Sequence, residues 1–262
     1  MTIREIQHEI DDSIPVENVL ISVFDKTNLG ELANGLLEIN PGLRIFSTGG
    51  TYIALRDKIL SPDQQGSLIT VEEYTDLPEI EGGLVKTLHP LLHTGLLGER
   101  HNPAHQAYLQ RLSRRVTLFG PDGQPVTNPE PGQNYTATVT QGNGVFFDLV
   151  VVNLYPFESV SVEPGATFES SRGNIDIGGP AMLRAAAKNF LSAAPFIDPK
   201  RYGELLAHIR ENRGSTRFDY RRQLAGEVFE LTGGYDTAIS AWWKTQTPEA
   251  ARARYTFAQR GA

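Results

Sequence analysis

The 262-residue chain carries a formal net charge of −7, with 40% apolar and 21% charged residues, an ordinary balance for a globular protein with a sizeable core. The acidic excess excludes a global basic field for nucleic acid or an anionic membrane, although local lysines and backbone amides still suit a small anion. The lack of cysteine excludes disulfides, thiolate nucleophiles and cysteine–zinc sites, and accords with a reducing compartment. Residues 1–12 are too acidic and interrupted for a signal peptide, and no apolar run approaches the roughly 18–20 residues of a membrane span. A cytoplasmic protein with a small-molecule ligand is expected, with neither nucleic acid nor membrane as partner.

Val19–Phe24 reads as a buried strand, Asp25–Asn28 as a helix start and Leu29–Ile39 as a helix. After the Pro41-Gly42 turn, Leu43–Phe46 reads as a second strand, then a Gly-rich turn, Ser47–Thr51, and a helix through Arg56. This is the βαβ rhythm of a parallel sheet, whose ligands bind beyond the C-terminal strand ends. Ser47-Thr-Gly-Gly-Thr51 is either a phosphate cradle, with exposed amides and hydroxyls at a helix start, or a plain turn. It lacks the lysine and spacing of a Walker A loop and is not GxGxxG.

Leu68–Val71 is a further strand. In the Gly-rich stretch Glu81–Gly95, Lys86 and Thr87 suggest an oxyanion or phosphate contact. His89 and His93 are four apart, but Pro90 between them argues against a regular helix and no acidic third ligand is apparent, so no metal site is expected. Between about 100 and 145 the character changes to a β-rich excursion, whose first part, His101–Arg114, reads as helical. Arg115–Thr127 reads as a hairpin about Pro121-Asp122-Gly123, and Tyr135–Thr140 with Gly142-Asn143-Gly144 as a second hairpin.

Leu149–Val152 is a fully buried strand with Asn153 and Tyr155 at its end, stopped by Pro156. Tyr155 either packs its ring or offers its hydroxyl to a cleft. Asn174–Asn189 turns sharply into a small-residue helix: Gly178 and Gly179 permit close approach, Pro180 suits the first turn and alanines follow. Asp176 precedes this helix, while Arg184 and Lys188 lie on one face of it. Asp176 and Lys188 are expected in one cleft, against the alternative of a capped core helix with solvated charges. Ala194–Ile197 is a strand, Pro199–Ile209 is helical, and Phe218–Ser240 is a long helix broken near Gly233-Gly234. Trp242-Trp243 then covers the core or faces a partner subunit. One elaborated domain over 1–262 is expected, with a C-terminal helical extension over about 199–262.

Together, Ser22-Val-Phe-Asp-Lys-Thr27, Ser47–Thr51, Gly83-Leu-Val-Lys-Thr-Leu-His-Pro90, Asn153-Leu-Tyr-Pro-Phe157, Ile175–Gly179 and Arg184–Asn189 resemble IMP cyclohydrolase. That family forms the N-terminal domain of the bifunctional purine-synthesis enzyme whose other half is AICAR transformylase. Arg221–Ala225 and Tyr235–Ser240 look like the family's closing helices. The resemblance implies a methylglyoxal-synthase-like fold, a doubly wound parallel sheet flanked by helices, and closure of FAICAR, the formylated aminoimidazole carboxamide ribotide, to IMP without a cofactor. It also implies a homodimer and a separate enzyme to transfer the formyl group, since the chain ends where a transformylase domain would begin. Two departures are Leu84, where the family has an arginine, and Phe24, where it has a small polar residue.

Ring closure joins a carboxamide nitrogen to a formyl carbon and expels water, so it needs a proton acceptor and a donor to the developing oxyanion. By the resemblance, Asp176 accepts from or orients the carboxamide and Lys188 transfers protons. Lys86 and Tyr155 stabilise the oxyanion, and Asn153 fixes the base. Ser22, Lys26, Thr48, Gly49, Gly50, Thr51 and Thr87 hold the phosphate and ribose, with Ile177 and Gly178 also at the substrate. The competing expectations are a non-catalytic nucleotide or phosphate sensor of the same fold, and methylglyoxal synthase, whose acid pattern is not found.

Overall fold

The computed structural model describes residues 5–6, 8–77, 85–126, 133–140 and 142–258. Leu84 and the glycines before it lie outside the described residues. The chain begins with β1 (Ser13–Pro15) and β2 (Asn18–Val23), then α1 (Leu29–Ile39), β3 (Arg44–Ser47) and α2 (Gly49–Ala54). Helix α2 runs on into a π-helical turn, Leu55–Ile59. The strand β4 (Leu68–Thr70) leads directly into α3 (Val71–Thr75), opened by a reciprocal Thr70–Glu73 capping box. Next come α4 (Pro90–Leu97), α5 (Pro103–Leu112), β5 (Arg115–Phe119), β6 (Pro125–Val126) and β7 (Thr136–Thr140). The core resumes with β8 (Leu149–Asn153), α6 (Phe157–Val162), α7 (Phe168–Gly173), α8 (Gly178–Lys188) and β9 (Ala194–Phe196). The chain then forms α9 (Tyr202–Glu211), β10 (Ser215–Arg217), α10 (Phe218–Thr245) and α11 (Pro248–Arg252).

Five strands form a parallel sheet in the order β4-β3-β2-β8-β9. The chain starts in the middle at β2, winds outward to β4, then returns to β8 beside β2 and winds the other way. The fold is the expected doubly wound one, and its switch point lies between β2 and β8. Period-two alternation splits each strand between two cores. Val19, Ile21, Ile45 and Val151 pack with Leu32, Leu36, Leu205 and Ile209 of α1 and α9. Leu20, Phe46, Val150 and Val152 pack with Leu92, Met182, Leu183 and Val228 of α4, α8 and α10. Burial on both faces explains why these strands are continuous apolar runs. Ala185, Ala186 and Ala187 are buried, so α8 lies close against its neighbours.

Two expectations are corrected. The segment Tyr135–Thr140 does not fold back on itself; β7 pairs antiparallel with β5, giving one three-stranded sheet, β6-β5-β7. Gly142–Gly144 instead docks the chain back onto the core, where the Gly144 N–H donates to Ser113 Oγ and the Val145 N–H to the Tyr74 hydroxyl. Helix α10 does not break at Gly233-Gly234 but runs 28 residues. Two glycines cost a helix about 2 kcal/mol relative to alanine, and the packing of Thr232 and Tyr235 on either side outweighs it. The N-terminal segment joins the fold, since β1 pairs antiparallel with β10. Arg221, fully buried, holds this segment by donating to the carbonyls of Asp11, Asp12 and Thr216. Trp242 and Trp243 stack with each other and against Phe168 of α7. Among the described residues no helix is long and apolar enough to cross a membrane.

Candidate active site

A cleft of about 450 Å³ opens at the C-terminal ends of β2, β3 and β8, closed on its far side by the loop into α8. It lies at the switch point, where the connections leaving β2 and β8 run in opposite directions and the loops part. Its first wall is the Ser22–Thr51 region. Ser22 Oγ and Thr48 Oγ1 are 3.1 Å apart and hydrogen-bonded. Thr51 lines the cleft, but its hydroxyl accepts the Val23 N–H at 3.0 Å and donates to the Val23 carbonyl at 2.9 Å. That hydroxyl therefore ties α2 to β2. Gly49 has φ +44°, the left-handed region that glycine enters without a steric penalty. The Lys86 ammonium occupies the space beside it, 2.8 Å from where a Cβ would stand. Lys26 Nζ lies 3.9 Å from the equivalent point at Gly50 and donates to the carbonyls of Val23 and Phe24 at 3.4 and 3.2 Å. Two ammonium groups thus flank the Gly-Gly turn that opens α2, where the first amides have no intrahelical partner. This arrangement suits a phosphate.

The opposite wall is the Asn174–Gly179 loop. The Asp176 carboxylate accepts the Gly179 N–H at 2.8 Å. Burial pushes its pKa above the usual carboxylate value, and the neighbouring backbone amides of Gly179 and Tyr155 only partly oppose the shift. The Asp176 N–H donates to the Tyr235 hydroxyl at 2.8 Å, which donates in turn to the Asn174 carbonyl at 3.4 Å. The loop is thereby strapped to α10. A Cβ on Gly178 would fall on Thr87 Oγ1, and one on Gly179 would fall on Asp176, so the small residues of the motif are required by close approach. Ile177, 62% exposed, also lines the cleft.

Asn153 lies at the cleft but is held by its neighbours. Its Oδ1 accepts the N–H groups of Phe24 and Asp25 at 2.7 and 2.9 Å, and its Nδ2 donates to the Asp25 carbonyl at 2.9 Å. These bonds shape the loop after β2 and fix the Asn153 side chain at the cleft wall. The Tyr155 ring meets Phe24 edge-on, with centroids 5.3 Å apart.

Of the expected site residues, Lys188 alone is not brought here. It ends α8 and is exposed, whereas the cleft is at the start of that helix. Ten residues at the helical rise separate it from Gly178 by about 15 Å. Arg184 stacks on Phe229 and donates to Thr232 Oγ1 at 3.3 Å, so that helix face looks toward α10. Within one chain, Asp176 and Lys188 do not share a cleft. His89 is structural: its Nδ1 accepts the Leu91 N–H at 3.1 Å as the cap of α4, and burial lowers the pKa of both His89 and His93. Tyr235, quoted above only as part of a closing helix, is the support of Asp176 that spacing could not reveal.

A doubly wound α/β protein with a switch-point cleft, two lysines at a Gly-Gly helix start and a half-buried carboxylate opposite has the makings of a phosphorylated-metabolite site. The model of the AICARFT/IMPCHase bienzyme matches residues 186–261. The bifunctional purine biosynthesis protein PurH of Rhizobium rhizogenes is 38% identical over 232 residues, 88% of this chain and 36% of the relative. The PurH proteins of a Ruegeria species and of Mycobacterium ulcerans are 41% and 40% identical, over 88% and 90% of this chain. The crystal structure of ForH superposes with a TM-score of 0.61 at 28% identity, covering 87% of this chain and 99% of ForH. The chain is thus similar to the AICARFT/IMPCHase bienzyme over its C-terminal part and to these PurH proteins over nearly nine-tenths of its length, and it spans a little over a third of the length of these PurH relatives.

Proposed function

We propose that the chain is an IMP cyclohydrolase that closes FAICAR to IMP and water without a cofactor. The observation that carries this reading is the meeting of Lys86, Tyr155 and Asp176 in one cleft beside the Lys26 and Gly49-Gly50 cradle. The cradle takes the phosphate and holds the ribotide with both reacting groups in the cleft, which favours the ring-closing rotamer. The carboxamide nitrogen attacks the formyl carbon and gives one proton to Asp176, whose raised pKa suits a base of intermediate strength. Lys86 and the Tyr155 hydroxyl donate to the oxygen that gains charge. The formamide nitrogen then loses its proton as the C–O bond breaks, and the oxygen leaves as water. Both protons of that water come from substrate nitrogens.

Lys188 joins this chemistry only from a second copy. A homodimer, implied by the resemblance, would supply it across the interface, and a separate formyl-transferring enzyme would supply FAICAR. The test is turnover of freshly prepared FAICAR, followed by the ultraviolet absorbance of IMP against the uncatalysed background. Turnover lost in Lys86→Ala is the expected result. Folded protein that binds IMP without turnover would establish a non-catalytic nucleotide sensor instead.

A further inference from the structure

Phe24 follows the last residue of β2 and lines the cleft with its ring 48% exposed. A half-exposed phenylalanine on a loop ordinarily has no reason to keep one place. Two restraints act here. Its backbone is pinned, because the amides of Phe24 and Asp25 both donate to Asn153 Oδ1. Its ring meets Tyr155 edge-to-face, at an interplanar angle of 76°. Tyr155 is itself 46% exposed and lines the same cleft as Asp176. Among the described residues, Phe24 is the aromatic neighbour that restrains the Tyr155 ring.

We propose that Phe24 is a positioning and specificity-determining residue: its ring holds Tyr155 at the reacting end of the cleft, so that the pair recognises the planar base of the ligand. The proposal rests on the reading of the cleft as an IMP-forming site. It separates two ends of that cleft. Lys26 and Gly49-Gly50 recognise the phosphate, and the Phe24–Tyr155 pair recognises the heteroaromatic ring. An edge-to-face pair has a preferred geometry that an aliphatic side chain does not reproduce. A serine at position 24 would keep the backbone bonds to Asn153 and remove only the ring contact.

The test compares IMP with ribose 5-phosphate as ligands of the full chain, by calorimetry, in wild type, Phe24→Ser and Phe24→Tyr. Phe24→Ser is expected to weaken IMP about two- to tenfold, the range of one aromatic pair, with ribose 5-phosphate affinity unchanged. Phe24→Tyr is expected to restore IMP binding. In a Tyr155→Ala background Phe24→Ser should have no further effect, which a merely structural role would not produce. Unchanged melting temperatures check the fold. Equal losses for both ligands, or an undiminished Phe24→Ser effect in Tyr155→Ala, would overturn the proposal. Failure of the wild-type protein to bind IMP would instead overturn the reading of the cleft, and the proposal with it.

Discussion

The Asp176 carboxylate accepts the Gly179 amide at 2.8 Å, so one side chain both caps the first turn of α8 and faces the cleft. The helix start favours its charge while burial disfavours it, and burial prevails. If Asp176 acts ionised, the rate must fall as pH drops through its raised pKa, so the acid limb lies above the ordinary carboxylate range. Asp176→Asn is expected to cost about 10²- to 10⁴-fold in kcat and to abolish that limb. The sign for stability is opposite. A carboxyl whose pKa is raised by folding stabilises the protonated protein, and that contribution is lost as pH rises through the folded value. Asp176→Asn, which keeps an oxygen for the Gly179 amide, should therefore melt no lower than wild type at neutral pH. Scanning calorimetry across pH checks this.

Close approach at the glycines yields a second expectation. In Gly49→Ala the new methyl would meet Lys86 Nζ and the backbone would stay at positive φ, costing about 1–2 kcal/mol. Gly178→Ala would displace Thr87. Both should weaken phosphate-bearing ligands by at least about tenfold, roughly one charge-assisted hydrogen bond. Gly165 supplies the control: it has φ +90° with nothing within 4 Å of a new Cβ. Gly165→Ala should lose stability and leave ligand affinity intact, as denaturation curves and calorimetry would show.

The position of Lys188 calls for a mixing experiment. If it acts across a dimer interface, Lys188→Ala and Asp176→Asn are each inactive alone. Mixed after unfolding and refolding, they should regain about a quarter of wild-type activity, since half the dimers are mixed and each of those rebuilds one of its two sites. No recovery in mixed dimers confirmed by native mass spectrometry would place Lys188 outside the reaction.

Arg100 and Asp148 form an ion pair whose carboxylate is almost wholly buried at the start of β8. Asp148 also accepts the amides of Glu17 and Asn18 at 2.8 and 2.6 Å, which joins β8 to the entry of β2. Removing one partner of a buried pair costs about 3–5 kcal/mol. Arg100→Ala should lower the unfolding free energy by that amount at neutral pH. Burial already raises the Asp148 pKa, and loss of Arg100 raises it further. The deficit should therefore shrink as pH falls through the folded value and the carboxyl takes up its proton. Chemical denaturation at several pH values measures both effects.

Much of this protein is local and was legible in its sequence. Leu29–Ile39 is the helix expected from its apolar spacing, and β2, β3 and β8 are the expected aliphatic runs, because burial on both faces leaves no alternation to read. The motif residues Ser22, Lys26, Tyr155 and Asp176 lie at the C-terminal ends of strands or in the loops that lead into helices, and a parallel sheet collects such positions at one edge. What spacing along one chain cannot convey is the distance between the two ends of a helix or the partner of a single hydroxyl. Lys188 belongs to the same motif as Asp176 but sits at the other end of α8, because a helix advances about 1.5 Å with every residue. Thr51 and Asn153 have the chemistry of ligand contacts, yet their polar atoms are taken by the backbone around β2. Tyr235 supports Asp176 from 59 residues away, and Arg221 holds Asp11 from 210 residues away. Local propensity determined the elements; packing between distant segments decided which side chains face the cleft.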